Sequence, residues 1–307
     1  MLLRFALVLF IAAQCFAAPV VMAEPPVTVF IYHSDDDPPP PGRSASRREN
    51  YTHELLRAVL DRTRAAYGPY ELAPSPPMHE KFRALALERG DDGINISVFP
   101  SKRGYPRTVI PVRIPIDRGL MGYRVLTIRA ADQPRFDAVR TADDLKQFHF
   151  GLRGGWIDVG IMQRDGFAVE TGLTLNGLMH MLDAGRFDAF SNSPPPAAEL
   201  LDRLTATYPG LVIEAGLLVH YPMPVYFWFR DTEDGRRRAE RVRAGLEQMI
   251  RDGSMKALFD KWYGPALARL GVDRRRIVEL PNPQLDPADP VDRPDLWYAP
   301  GENAPGR

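Results

Sequence analysis

Apolar positions along the chain change period in an ordered way. Val27–His33 (VTVFIYH) alternates as a strand, and from Asn50 the residues Leu55, Leu56, Val59, Leu60 and Tyr67 recur at helical spacing until Gly68-Pro69 ends the run. Tyr70–Ala73 reads as a short strand, Met78–Glu88 as a helix stopped by Gly90, and Ile94–Phe99 as another strand. Such alternation predicts a parallel sheet covered on its faces. Two extended segments, Val109–Ile116 and Tyr123–Arg129, then flank Asp117-Arg118-Gly119. Beyond Asp143 the alternation restarts with strand Phe148–Leu152, a tight glycine loop at 151–155 and helix Asp158–Gln163. Thr174 caps a helix with Leu175, Leu178, Met179 and Leu182 on one face. Strand Phe187–Phe190, helix Ala197–Tyr208 and strand Leu211–Val219 follow. After Val225–Phe229, helices Gly235–Arg251 and Ser254–Tyr263 meet at Gly253, and from Pro281 prolines are too frequent for regular structure. The pattern predicts two α/β units, the second inserted into the first, with chain crossings near Tyr123–Arg129 and Val225–Phe229.

The N-terminus bears on the compartment. Arg4 precedes an almost purely apolar run, Phe5 to Val21, which Val21-Met22-Ala23 closes before Glu24. This is the layout of a secretory signal peptide over residues 1–23. Gln14 and Pro19 interrupt a run only about as long as the roughly 20 residues a membrane span needs, which favours cleavage over a retained anchor. The expected location is the periplasm. The single cysteine, Cys15, lies inside that segment, so the mature chain is expected to carry no thiol, disulfide or cysteine metal site.

Charge excludes some partners. The chain holds 39 basic and 39 acidic residues; without Arg4 the mature balance is 38 to 39, a net charge of −1. No basic footprint points to nucleic acid or a membrane surface, and no second stretch is apolar enough to span a bilayer. A monomer is expected.

Enzyme signatures are weak. The six histidines (His33, His53, His79, His149, His180, His220) show no metal-ligand spacing, and His79-Glu80 is followed by Arg83 where a zinc-protease motif needs a second histidine. The chain has no G-x-S-x-G elbow, P-loop or dinucleotide fingerprint. Asp91-Asp92 and Asp143-Asp144 read as exposed caps. The expectation is a protein without catalytic activity, metal or cofactor.

Four stretches, in order, resemble the bacterial extracellular solute-binding proteins of family 3. They are Asp143–Lys146 with Phe150–Gly155, Met181–Phe190, Tyr226–Arg230, and Gly245–Gly264 with its Asp252-Gly253-Ser254 and Lys261-Trp262-Tyr263-Gly264. The likeness runs from Val27 to about Gly264 and points to a poorly characterised branch sharing Ile114–Tyr123, Gly155–Asp158, Arg186–Ser191 and Leu296–Tyr298. It implies a two-lobed type II periplasmic-binding-protein fold, each lobe a mainly parallel sheet flanked by helices and joined by two hinge strands. Lobe one would comprise residues 24–126 and 227–280, lobe two 127–226, with a proline-rich tail at 281–307. It further implies a non-catalytic receptor for a small carboxylate-bearing ligand, with an ABC permease as partner. The alternatives are a dehydratase-like periplasmic enzyme on the same scaffold, or a sensor or structural protein.

The same resemblance implies the site. An arginine of lobe one grips the ligand carboxylate, and Arg103, Arg107 and Arg113 compete for that role. Gly151–Gly155 resembles the family's anion loop, so Arg153, Gly154 and Gly155 are candidates, with Trp156 as a ligand cover and Asp158 as an orienter of arginine or a helix cap. Ser191 and Asn192 follow the strand Phe187–Phe190, and Ser193 stands where amino-acid binders of the family place an aspartate. Tyr51 is a candidate for the cleft wall.

Overall fold

The structure, a computed structural model, describes residues 26–32, 47–76, 80–90 and 93–302. The expected signal peptide, His33 and the Asp91-Asp92 pair lie outside the described residues.

The first elements are β1 (Thr28–Tyr32), α1 (Arg47–Arg62), α2 (Arg64–Tyr67), β2 (Tyr70–Pro74), α3 (Glu80–Arg89), β3 (Ser97–Pro100) and β4 (Val109–Pro111). Strand β1 pairs in parallel with β2, and Asn95 ties the chain before β3 to β1 by accepting the Ile31 N–H at 2.8 Å. The next group is β5 (Tyr123–Arg129), α4 (Gln133–Asp137), α5 (Ala142–Leu145), β6 (His149–Arg153), α6 (Ile157–Arg164), β7 (Ala168–Gly172), α7 (Leu175–Asp183) and β8 (Ala189–Asn192). Then come α8 (Pro194–Thr207), β9 (Leu211–Ile213), β10 (Leu217–His220), β11 (Val225–Arg230), α9 (Glu233–Arg251), α10 (Ser254–Arg269) and β12 (Arg276–Glu279).

Two cores result. The larger gathers Tyr51, Leu55, Val59, Ile96, Ile114, Phe227, Phe229, Leu246 and Phe259, where α1, α9 and α10 cover the sheet β3-β11-β4. The second gathers Leu126, Ile128, Phe136, Phe150, Leu152, Ile161 and Tyr221 around a seven-stranded sheet ordered β12-β10-β5-β8-β6-β7, with β9 also on β5. In that sheet β6 is parallel to β7 and β8, β10 is parallel to β12, and β5 is antiparallel to its neighbours. Strand β5 reads YRVLTIR and is buried at every position but the last, which suits a chain crossing between two packed bodies. No described helix is long and apolar enough to cross a membrane.

Several elements differ from the sequence expectation. The segment Val109–Ile116 is strand only as far as Pro111, because Pro111 and Pro115 supply no N–H to a ladder. The stretch Leu211–Val219 splits into β9 and β10 at Glu214, whose buried carboxylate accepts the N–H groups of Gly216 at 2.9 Å and Leu217 at 2.5 Å. Helix α10 runs six residues beyond the expected end at Tyr263, with Pro265 inside it. Strands β7 and β12 were not anticipated, since each is mostly exposed and lacks alternation.

Candidate functional site

A cavity of about 960 Å³ opens between the two cores. Phe99, Pro100, Lys102, Tyr105, Leu120 and Tyr263 line it from one side; Arg153 to Asp158, Leu178, Phe190, Asn192 and Ser193 line it from the other. Arg83, Asp117, Met121, Arg124, Glu199, Met223 and Gln284 also line it. The size lies at the upper end of ordinary ligand pockets.

The second side is built by the turn from β6 into α6. Gly154 donates its N–H to Gly172 at 2.9 Å, which pins the end of β6 to β7. Gly155 has φ +89°, a conformation a side chain would strain, and it turns the chain so that Arg153 and Trp156 both reach the cavity. Arg153 is exposed and has no ion pair among the described residues. Trp156 lies 6.2 Å from the Phe190 ring, centroid to centroid.

Behind this turn sits a buried polar cluster. Arg124, on β5, is fully buried and is paired with Asp158 in the first turn of α6. Its Nε donates to the Tyr221 hydroxyl at 2.9 Å, and that hydroxyl in turn donates to Asp158. Burial pushes the Tyr221 phenol far up. For Arg124 burial works against the charge, but Asp158 and Tyr221 outweigh it and hold the guanidinium above its ordinary value. The cluster is electrically closed, so its charges are satisfied within the protein.

On the opposite side Phe99 stacks on Trp228 at 4.7 Å and meets Tyr105 at 5.2 Å. Lys102 lies over the Tyr105 ring at 5.1 Å and has no carboxylate partner among the described residues. Asp117 is buried and accepts the N–H groups of Gly119 and Met121, each at 3.1 Å. The Ser193 hydroxyl is buried and has no hydrogen-bond partner among the described residues. Asn192 accepts the Ser193 N–H at 2.9 Å. Among the described residues no cluster of three or more His, Cys, Asp or Glu side chains could hold a metal ion.

The residues expected from sequence thus divide. Arg153, Gly154, Gly155, Trp156, Asp158 and Asn192 line the cavity; Ser191 is buried within β8, opposite Leu126 of β5, and does not. Arg103 and Arg107 are exposed outside the wall, the Arg103 N–H being held by the Gln284 carbonyl at 2.7 Å while its neighbour Lys102 faces the cavity. Arg113 is engaged elsewhere, by Asp289 at 2.8 Å and Asp286 at 3.6 Å. Tyr51 is a core residue whose hydroxyl donates to the Ile116 carbonyl at 2.5 Å. Sequence reasoning missed Arg124, Tyr221, Lys102, Tyr105 and Gln284. Arg124 left a signal, a charge inside an otherwise apolar strand; Gln284 left none, standing in a proline-rich stretch far along the chain from the rest of the wall.

Comparison with known proteins bears on the fold. A scan of protein-family models finds no match, and a search of curated proteins finds none either. Solved structures do match. An ancestral arginine-binding protein bound to arginine is 16% identical at a TM-score of 0.52, over 76% of this chain and 98% of that one. The amino acid ABC transporter substrate-binding protein AbpA from Streptococcus pneumoniae, bound to L-arginine, is 14% identical at 0.51, over 78% and 95%. The VFT2 domain of Bordetella pertussis BvgS is 14% identical at 0.53, over 77% and 93%. The chain therefore has the two-lobed periplasmic-binding-protein fold. Two of these three structures are an arginine-binding protein and an amino acid substrate-binding protein, and the third is a domain of BvgS.

Proposed function

We propose that this protein is a non-catalytic solute receptor that closes two lobes around a small organic anion carrying a carboxylate. The observation that carries the reading is the pair of unpaired cations, Lys102 on one wall and Arg153 on the other, facing one cavity. A ligand touching both stabilises the closed arrangement over the open one, which is how hinge receptors couple binding to closure. Arg153, Gly154, Gly155, Trp156, Asn192 and Lys102 make the site, with Arg124 and Asp158 as its fixed floor. Asp158 and Asp117 are already hydrogen-bonded inside the protein, which favours binding over proton transfer.

The lobes are then residues 24–126 with 227–275, and 127–226 with β12 of 276–279, which pairs with β10; the crossings are β5, the chain entering β11 and the chain entering β12. Neighbours that are substrate-binding proteins of ABC transporters support delivery to such a permease, and the sequence of residues 1–23 supports export to the periplasm. The test is a thermal-shift screen of carboxylates, amino acids, phosphate esters and sugars on the mature chain. A cognate anion raises the melting temperature with concentration, by about 2.7 kcal/mol of stability at a hundredfold excess over Kd. Arg153→Ala and Lys102→Ala each weaken that shift at least about tenfold in ligand concentration while leaving the ligand-free melting temperature unchanged. Unaltered shifts in both variants would remove the two cations from the site.

A further inference from the structure

The cavity is specific about more than charge sign. Each wall carries one unpaired cation together with aromatic rings: Lys102 over Tyr105, which meets Phe99, on one side, and Arg153 on the side lined by Trp156 and Phe190. Leu178, Met121 and Met223 fill the space between with apolar surface. The buried carboxylates in the same wall are committed, Asp158 to Arg124 and Tyr221, Asp117 to two backbone N–H groups. Glu199, the remaining carboxylate of the wall, is exposed on α8. The remaining polar residues of the wall on this side, Asn192 and Ser193, are neutral, and the Ser193 hydroxyl is buried just behind the surface without a partner among the described residues.

Resting on the receptor reading above, we infer that the ligand is an aromatic carboxylate without an ammonium group. A flat apolar body fits between facing aromatic walls, where ring contacts add to simple burial. Its carboxylate meets a cation. An α-ammonium in the same pose would lose water and find no uncommitted buried carboxylate, which disfavours the zwitterion. The Ser193 hydroxyl donates to an anion as readily as to any acceptor; among the described residues it is one of seven buried side-chain polar atoms without a partner, and the one that belongs to a residue of the cavity wall.

The inference is tested by titration calorimetry and thermal shift with four probes: 3-phenylpropanoate, terephthalate, L-phenylalanine and succinate. Wild-type protein is expected to bind at least one of the two aromatic acids ten times or more tighter than both L-phenylalanine and succinate. Ser193→Asp, which installs the missing negative charge, is expected to narrow or reverse the preference for 3-phenylpropanoate over L-phenylalanine. Should that variant fail to fold, Tyr105→Ala is read instead: it lowers aromatic affinity at least tenfold and leaves that for succinate within a factor of three. Equal or tighter binding of L-phenylalanine or succinate by the wild type overturns the inference and leaves a receptor for another anion. No response to any of the four probes, nor to any anion of the wider screen, overturns the receptor reading with it.

Discussion

At the scale of single residues, the cost of burying charge is met by exact local pairing. Asp158 neutralises Arg124 while Tyr221 bonds both, and all three side chains are buried. Removing one partner strands the other without water. Asp158→Ala is therefore expected to cost about 3–5 kcal/mol, and the double change Arg124→Leu with Asp158→Leu much less, since an apolar pair leaves no orphan charge. Urea unfolding of the three proteins decides it; equal losses in the single and double variants would show that packing, and not pairing, dominates. A second carboxylate makes a pH prediction. Burial alone would push Asp188 upward, but the His149 N–H at 2.9 Å with Arg135 and Arg129 outweighs it and lowers its pKa. A carboxylate lowered in the folded state adds stability above its unfolded pKa of about 3.9 and loses it as pH falls through the folded value. Asp188→Asn should thus cost about 1–2 kcal/mol near pH 7, allowing for half-exposed Arg135, with the gap from wild type closing in acid below about pH 3.9. A gap that stays constant down to pH 2 would mean that the charge is not its source.

At the scale of elements, most strands and helices were legible because each buries one regular face. Leu55, Leu56, Val59 and Leu60 are all in the core, as their helical spacing required, and Leu178, Met179 and Leu182 are likewise buried on α7 behind the Thr174 cap. What escaped was structure made by polar or irregular means. The break between β9 and β10 is dictated by one buried glutamate, and the edge strands β7 and β12 bury too little to show a period. Of the site, the glycine turn after β6 was readable because the positive φ at Gly155 demands that residue type. Lys102 was not, since nothing local tells which of two adjacent cations, Lys102 or Arg103, the loop turns inward. The β6 strand also depends on a glycine for packing. A Cβ on Gly151 would lie 2.1 Å from the Phe187 ring, so Gly151→Ala is expected to cost about 1–3 kcal/mol. Adding Phe187→Leu should return part of that loss, measured as the denaturation midpoint; no recovery would place the strain in the backbone.

At the scale of the molecule, the C-terminal segment links the two lobes in a way that neither lobe's own elements do. It leaves the seven-stranded sheet at β12, where Val278 and Leu280 pack into the second core. Asn282 then donates to the Pro222 carbonyl at 2.7 Å. Gln284 accepts the Arg103 N–H at 2.7 Å on one side of the cavity and reaches the Ile157 carbonyl at 3.4 Å on the other. Asp289 fixes the far end to the first body through Ser101 and Tyr226, each at 3.0 Å, and Arg113 at 2.8 Å. On the receptor reading proposed above, a strap held at both ends would favour closure even before a ligand arrives. Freeing its anchor on the first body with Asp289→Ala is expected to cost about 1–3 kcal/mol of stability. It should also raise the radius of gyration of the ligand-free protein in X-ray scattering and weaken any ligand whose binding requires closure. Gln284→Ala separates the two effects, because it removes only the side-chain bond to the Ile157 carbonyl and leaves both the backbone bond to Arg103 and the Asp289 anchor intact: opening without loss of stability is the expected result. Unchanged scattering in both variants would mean that the strap follows closure and does not bias it.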